Sequence, residues 1–119
     1  MSNKYSSKVL DYLRNYMATA KAIKEIVTRI DPEAEVYVFG SVVRGEYTAA
    51  SDIDILIVTK HIESKYELMV NVYKYVEAPM ELHVTTPQLF EKWYKRFIRP
   101  VHYKTRLFHS TLLQVSDYF

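Results

Sequence analysis

Phe39-Gly40-Ser41-Val42-Val43-Arg44-Gly45-Glu46-Tyr47-Thr48-Ala49-Ala50-Ser51-Asp52-Ile53-Asp54-Ile55-Leu56-Ile57-Val58 is the stretch on which the fold turns. The chain holds only two glycines, and both fall here, five residues apart. Glycine in that density marks one piece of special backbone, where a missing side chain lets the main chain turn tightly or approach a ligand. Upstream, Glu35-Val36-Tyr37-Val38-Phe39 is β-branched and aromatic and reads as a strand that Gly40 stops. Downstream, Ile53 to Val58 reads as a second strand.

The chemistry follows from this local structure. Ser41 is expected as the N-cap of a single turn that Gly45 ends. Unpaired backbone N–H groups at the start of such a turn attract phosphate oxygens, and the serine hydroxyl adds a donor. Asp52 and Asp54 lie two apart, so a strand puts both carboxylates on one face, with Ile53, Ile55 and Ile57 on the other, ready to pack under a helix. Glu81 begins a further strand, Met80 to Thr85, and joins the two aspartates if that strand lies beside the second one. Two unit charges ~5 Å apart repel by roughly 3 kcal/mol at an effective dielectric of 20. Three converging carboxylates therefore need protons or a divalent cation, and oxygen ligands beside phosphates suit Mg²⁺.

Outward from this centre, Val9, Leu13, Tyr16, Ala20, Ile23, Val27 and Ile30 alternate spacings of four and three, which predicts one long amphipathic helix. Asp31-Pro32 ends it, because the residue before proline is pushed out of the helical region. Ser64-Lys65-Tyr66-Glu67 has capping-box spacing, with Tyr66, Met69, Val72, Tyr73 and Val76 as the expected apolar stripe of another helix, broken by Ala78-Pro79. Thr86-Pro87 opens a helix with threonine as N-cap and proline at the first position. Leu89, Phe90, Trp93, Tyr94 and Phe97 are its expected buried side, and Arg99-Pro100 its stop. Val101 to Phe108 reads as a strand or remains unassigned, and Ser110 to Tyr118 as a short helix. Three strands with helices on at least one face make a small α/β or α+β domain, and 119 residues are enough for one domain only.

Composition removes several classes of function. There are no cysteines, hence no disulfide, thiolate zinc site or cysteine nucleophile. A net charge of +2 does not by itself predict nucleic-acid binding. No run approaches the ~20 apolar residues of a membrane span, and residues 1–8 lack the apolar core of a signal peptide, so a cytoplasmic, non-membrane protein is expected.

Gly40-Ser41, Arg44-Gly45 and Ser51-Asp52-x-Asp54 between two strands resemble the signature of the DNA polymerase β superfamily of nucleotidyltransferases. The chain is most similar to its small stand-alone members, the minimal nucleotidyltransferases or MNT-type antitoxins. The resemblance runs from the first helix to Trp93 and implies a nucleotidyltransferase fold, a small mixed β-sheet flanked by helices, as one domain over 1–119 with 101–119 unassigned. It implies that Gly40 and Ser41 hold the triphosphate of ATP and that Asp52 and Asp54 bind two Mg²⁺ ions, with Mn²⁺ as a substitute. Glu81 then stands at the third carboxylate, a metal ligand that helps activate the attacking hydroxyl, where aspartate is common in the superfamily. The implied reaction moves AMP from ATP to a hydroxyl, in known cases a tyrosine of a partner HEPN-domain toxin whose RNase activity is thereby blocked.

Other readings stand beside these. Arg44 contacts phosphate or pairs with Asp52 or Glu46, and Ser51 contacts nucleotide or shapes its turn. His83 shares a face with Glu81 and reads as a partly buried structural histidine. His102 and His109 lack ligand spacing, and the Arg96 to His102 spacing is taken as chance because it crosses Pro100. Between Pro87 and His109, Lys92, Lys95, Arg96, Arg99, Lys104 and Arg106 stand against Glu91 alone, among six aromatics, which fits a solvated helix face, a partner surface or an RNA contact. The alternatives in function are a non-catalytic module that binds a toxin or RNA, and transfer of a nucleotide to a small molecule or an RNA end. Self-association is open.

Overall fold

The computed structural model describes residues 2–94 and 112–116. Two helices, α1 (Ser2–Arg14) and α2 (Tyr16–Ile30), lead into strand β1 (Glu35–Phe39). A one-turn helix α3 (Ser41–Arg44) and an irregular loop follow, then β2 (Ile53–Val58), a 3₁₀ turn (Ile62–Ser64), α4 (Lys65–Tyr75) and β3 (Met80–Thr85). After β3 come a short α5 (Pro87–Leu89), a π-helical turn (Phe90–Tyr94) and β4 (Leu113–Gln114). The sheet order is β3-β2-β1-β4. β1 pairs antiparallel with both β2 and β4, whereas β2 and β3 run parallel, joined through α4. The result is a small mixed sheet flanked by helices, as the sequence leads one to expect.

Alternation along the strands separates two faces. Val36, Val38, Ile53, Ile55, Ile57 and Leu82 point to the side covered by Leu13, Ala20, Ile23 and Val27 of α1 and α2 and by Leu68 and Val72 of α4. Each fully buried aliphatic side chain contributes about 1.5–3 kcal/mol, so this layer is the main source of cohesion. Tyr37, Leu56 and Val58 lie on the other face, where Phe90 and Leu112 cover them, with the Tyr37 and Phe90 rings 4.8 Å apart. At the Phe39 end of β1 this second face becomes polar, which leaves room for a site.

Several local expectations change in three dimensions. The first helix is not continuous. Asn15 leaves helical geometry (φ −103°, ψ 38°), and its side-chain amide donates to the Asp11 carbonyl, 3.0 Å away, which already accepts the Asn15 backbone N–H. Such a local side-chain bond offers the backbone an alternative to the helix. The chain does end α2 at Asp31, in extended geometry, before Pro32. Asp31 is buried and accepts the Thr59 hydroxyl.

At α4 the Ser64 side chain makes no cap bond, because a 3₁₀ turn precedes the helix and Ser64 is not in the extended conformation a cap needs. The buried stripe is Leu68 and Val72, flanked by Met69 and Val76, while Tyr66 and Tyr73 of the expected stripe face out, 83% and 50% exposed. The tyrosines sit about half a turn away from Leu68 and keep their hydroxyls in water. Thr86 caps α5 as expected, accepting the Leu89 N–H at 3.3 Å, but Leu89 is exposed and only Phe90 of that stripe is buried among the residues whose side chains are described. Residues 112–116 are extended rather than helical: Leu113 and Gln114 pair with Val38 and Tyr37. Leu112 and Val115, an odd number of residues apart, bury on opposite faces of the sheet, a pattern only a strand allows. Lys24 of α2 donates to the Val115 carbonyl at 3.0 Å. The expected helix stop at Pro100, the strand over Val101–Phe108, His102, His109, and the basic and aromatic residues from Lys95 to Phe108 lie outside the described residues.

Candidate active site

Gly40 stands at the N-cap with φ +88°, a conformation that L side chains rarely adopt, so Ser41 becomes the first helical residue instead of the cap. Gly45 closes the turn in the left-handed region, φ +75°. The first bonds of the turn run from the N–H groups of Val43 and Arg44 to the Gly40 carbonyl (3.2 and 3.4 Å). The N–H groups of Ser41 and Val42 therefore have no partner within the turn. Gly40 also leaves room for the Asp54 side chain. A Cβ there would lie inside contact distance of Asp54 Oδ2 and 3.2 Å from its Cγ. The turn and the Asp54 carboxylate thus occupy one crowded corner.

Asp54 reaches this corner because it alternates with Leu56 and Val58 on the second face and pairs with Phe39 across the β1–β2 ladder. On its other side, the parallel register sets Asp54 opposite Glu81. The two carboxyls bring donor atoms within 4.8 Å of each other. Partial burial is the largest influence pushing the Asp54 carboxyl up, to about 6, followed by Glu81 through side-chain hydrogen bonding and charge. His83 opposes the shift and Asp52 adds to it. Asp52 itself is exposed, just before the first residue of β2.

His83, two residues beyond Glu81 on β3, is where sequence reasoning stopped short. Asp54, Glu81 and His83 each bring one donor atom to within 4.8 Å of the others. His83 Nε2 lies 3.8 Å from Glu81 Oε1, and its ring rests near the Phe39 ring, centroids 5.7 Å apart. The signal was in the chain: Glu81 and His83 have strand spacing, but nothing local says which strand they face. Two carboxylates and an imidazole, with an Asp54 whose ionisation is opposed first by partial burial and then by Glu81, form a donor set that fits a divalent cation.

The remaining candidates shape the loop. Arg44 Nε lies 2.9 Å from Glu46 Oε1, and both side chains are largely exposed, so of the ion pairs considered the structure shows the one with Glu46. Ser51 closes a turn: its hydroxyl accepts the Thr48 N–H and its own N–H donates to the Thr48 carbonyl, each at 3.0 Å. That turn leads into Asp52, whose charge acts weakly on Asp54 but which is not among the three clustered donors. No helix of the described residues is long and apolar enough to cross a membrane.

Comparison with known proteins agrees with this geometry. Residues 20–109 match the nucleotidyltransferase domain family. The chain is similar to a candidate nucleotidyltransferase from Sulfolobus solfataricus, with 31% identity over 71% of this chain and 78% of that one, at a TM-score of 0.53. It is also similar to a second crystal structure described as a candidate nucleotidyltransferase, with 38% identity over 66% of this chain and 89% of that one, at a TM-score of 0.51. No curated protein matches the chain.

Proposed function

The chain belongs to the nucleotidyltransferase domain family, and from that premise we propose that it transfers AMP from ATP to a hydroxyl, with pyrophosphate leaving. The observation that carries this reading is the placement of Asp54, register partner of Glu81, against the Gly40 turn, with Asp52 exposed just before β2. In the proposed reaction the acceptor oxygen forms a bond to the α-phosphorus. The bond from that phosphorus to the bridging oxygen breaks, and the electron pair leaves with pyrophosphate.

The residues divide this work. The Ser41 hydroxyl and the N–H groups of Ser41 and Val42 hold phosphate oxygens, and Gly40 allows the close approach. Arg44, exposed beside Glu46, is within the same turn and adds positive charge toward the phosphates. Ser51 fixes the turn that presents Asp52. Asp52, Asp54 and Glu81 hold the Mg²⁺ ions, two in this proposal, with Mn²⁺ able to replace them. When bound, the ions neutralise the phosphate charge and favour ionisation of the attacking hydroxyl. Glu81, more exposed than Asp54, faces outward to receive the acceptor hydroxyl and helps take its proton.

The acceptor we propose is a tyrosine of a HEPN-type toxin, which gives the chain an antitoxin role in a toxin–antitoxin system of the cytoplasm, where ATP is available. Support for this finer step is the resemblance of residues 39–58 to the minimal nucleotidyltransferases. The test is to mix the chain with a HEPN-type protein encoded beside it, ATP and Mg²⁺, and to measure the intact mass of both proteins. Addition of one AMP to the partner, lost with Asp52→Asn, is expected. A stable complex without added mass would replace this reading with a binding module. Label on RNA ends in place of the partner would move the acceptor to RNA.

A further inference from the structure

We propose that His83 is a nitrogen ligand of the metal site and tilts it toward a first-row transition ion, with Mn²⁺ as the accessible probe, over Mg²⁺; the proposal rests on the metal reading above. The carboxylates alone make an oxygen site, which suits Mg²⁺. Imidazole is a softer donor, and Mg²⁺ gains little from it, whereas first-row transition ions bind it well.

Three placements support the assignment. First, the donor atoms of Asp54, Glu81 and His83 all lie within 4.8 Å of one another. Two ligands of one ion stand at most about 4.2 Å apart, twice a metal–ligand bond of roughly 2.1 Å, so closure needs shifts of under an ångström in side chains that are half-buried or exposed. Second, His83 Nε2 already points toward the carboxylates, 3.8 Å from Glu81 Oε1. Third, the ring has an aromatic neighbour on one side. It lies against Phe39, at 5.7 Å between centroids and 50° between planes, and Phe39 is itself packed against the Tyr37–Leu56–Phe90 cluster. A ligand held by an aromatic neighbour loses less freedom on binding than a solvated one. The arrangement also assigns Phe39 a positioning part: it sits opposite Asp54 in the ladder and beside His83 in space, so one side chain sets the orientation of the corner.

The experiment reads the metal directly, without turnover. Mn²⁺ bound to the full chain is examined by electron spin-echo envelope modulation for a coordinated imidazole nitrogen. Mn²⁺ and Mg²⁺ affinities of the wild type, His83→Gln and Asp54→Asn are measured by calorimetry. We expect nitrogen modulation in the wild type and its loss in His83→Gln, with Mn²⁺ affinity falling about tenfold, equivalent to about 1.4 kcal/mol, and Mg²⁺ affinity nearly unchanged. If Mn²⁺ binds the wild type, Asp54→Asn weakens it, and no nitrogen modulation appears, His83 is not a ligand while the metal reading stands. Equal losses for both ions in His83→Gln would also overturn the proposal. If neither ion binds, or Asp54→Asn has no effect on binding, the proposal and the metal reading fall together. Absence of nitrogen modulation in the wild type is read without any substitution, so that refuting outcome does not depend on the fold of a variant.

Discussion

Asp54 on β2 and Glu81 on β3 are register partners in the parallel ladder, with carboxyl oxygens within 4.8 Å of each other and Asp54 packed against Gly40. Two acids held this way, with a histidine beside them, store electrostatic cost in the metal-free protein that a cation relieves. Much of what can be tested about this molecule follows from that pair.

Stability of the metal-free protein should fall as pH rises from about 4 to about 6. The Asp54 carboxyl is raised from 3.8 to about 6 in the folded chain, mainly by partial burial and then by Glu81. A raised carboxyl contributes stability that is fully present below the unfolded value and lost as pH rises through the folded one. Because the group is only partly buried, solvent screening reduces the effect to the order of 1 kcal/mol. Thermal melts in chelator across this range measure it. Asp54→Asn should remove this component and melt higher than the wild type at pH 8. Identical pH profiles for the two proteins would show that Asp54 is not under this stress.

Divalent metal with ATP should raise the melting temperature at pH 7.5. A ligand at a hundred times its Kd stabilises the folded state by about 2.7 kcal/mol. The double variant Asp52→Asn/Asp54→Asn should lose the metal-dependent part of the shift and keep its own fold. An unchanged shift would place the metal elsewhere.

The two glycines should respond differently to alanine. At Gly40 the positive φ and the collision with the Asp54 carboxylate act together, so Gly40→Ala should cost about 2–3 kcal/mol and weaken metal binding as well. At Gly45 the φ is also positive, but an added Cβ meets nothing within 4 Å. Gly45→Ala should cost about 1 kcal/mol and leave metal affinity intact. Denaturant melts and metal titrations on both variants decide this, and equal effects on metal affinity would contradict it.

Thr59→Ala separates folding from chemistry. The Thr59 hydroxyl donates to the buried Asp31 carboxylate and accepts the His61 N–H, tying the end of β2 to the end of α2. Removing it leaves a buried carboxylate short of a donor, which costs about 1–3 kcal/mol. Urea titration should show that loss, with Mn²⁺ affinity unchanged at a temperature where the variant is folded. A parallel loss of Mn²⁺ affinity would mean that this tie also positions the site.

Period and punctuation alone determined a good part of this protein. Val36 and Val38, then Ile53, Ile55 and Ile57, alternate as strands must, and their limits at Gly40 and just after Asp52 were legible because glycine and polar residues flank the β-branched runs. The same period places Asp54 opposite the apolar face without knowledge of any partner. What lies beyond one segment was not legible in period or punctuation, and only the family resemblance put Glu81 with the aspartates. That β3 pairs with β2 in parallel, so that Glu81 meets Asp54 and His83 completes the corner, is a contact between residues 27 and 29 positions apart whose register no local pattern encodes. The break at Asn15 depends on a side chain competing for one carbonyl. The outward turn of Tyr66 and Tyr73 depends on which side of α4 the sheet happens to lie. The extended course of Leu112–Val115 comes from an open edge on β1 and from burial on both faces of the sheet. Local sequence sets which conformations a segment can adopt, and long-range packing chooses among them, because only the assembled sheet supplies the hydrogen bonds and buried area that make one choice lowest in free energy.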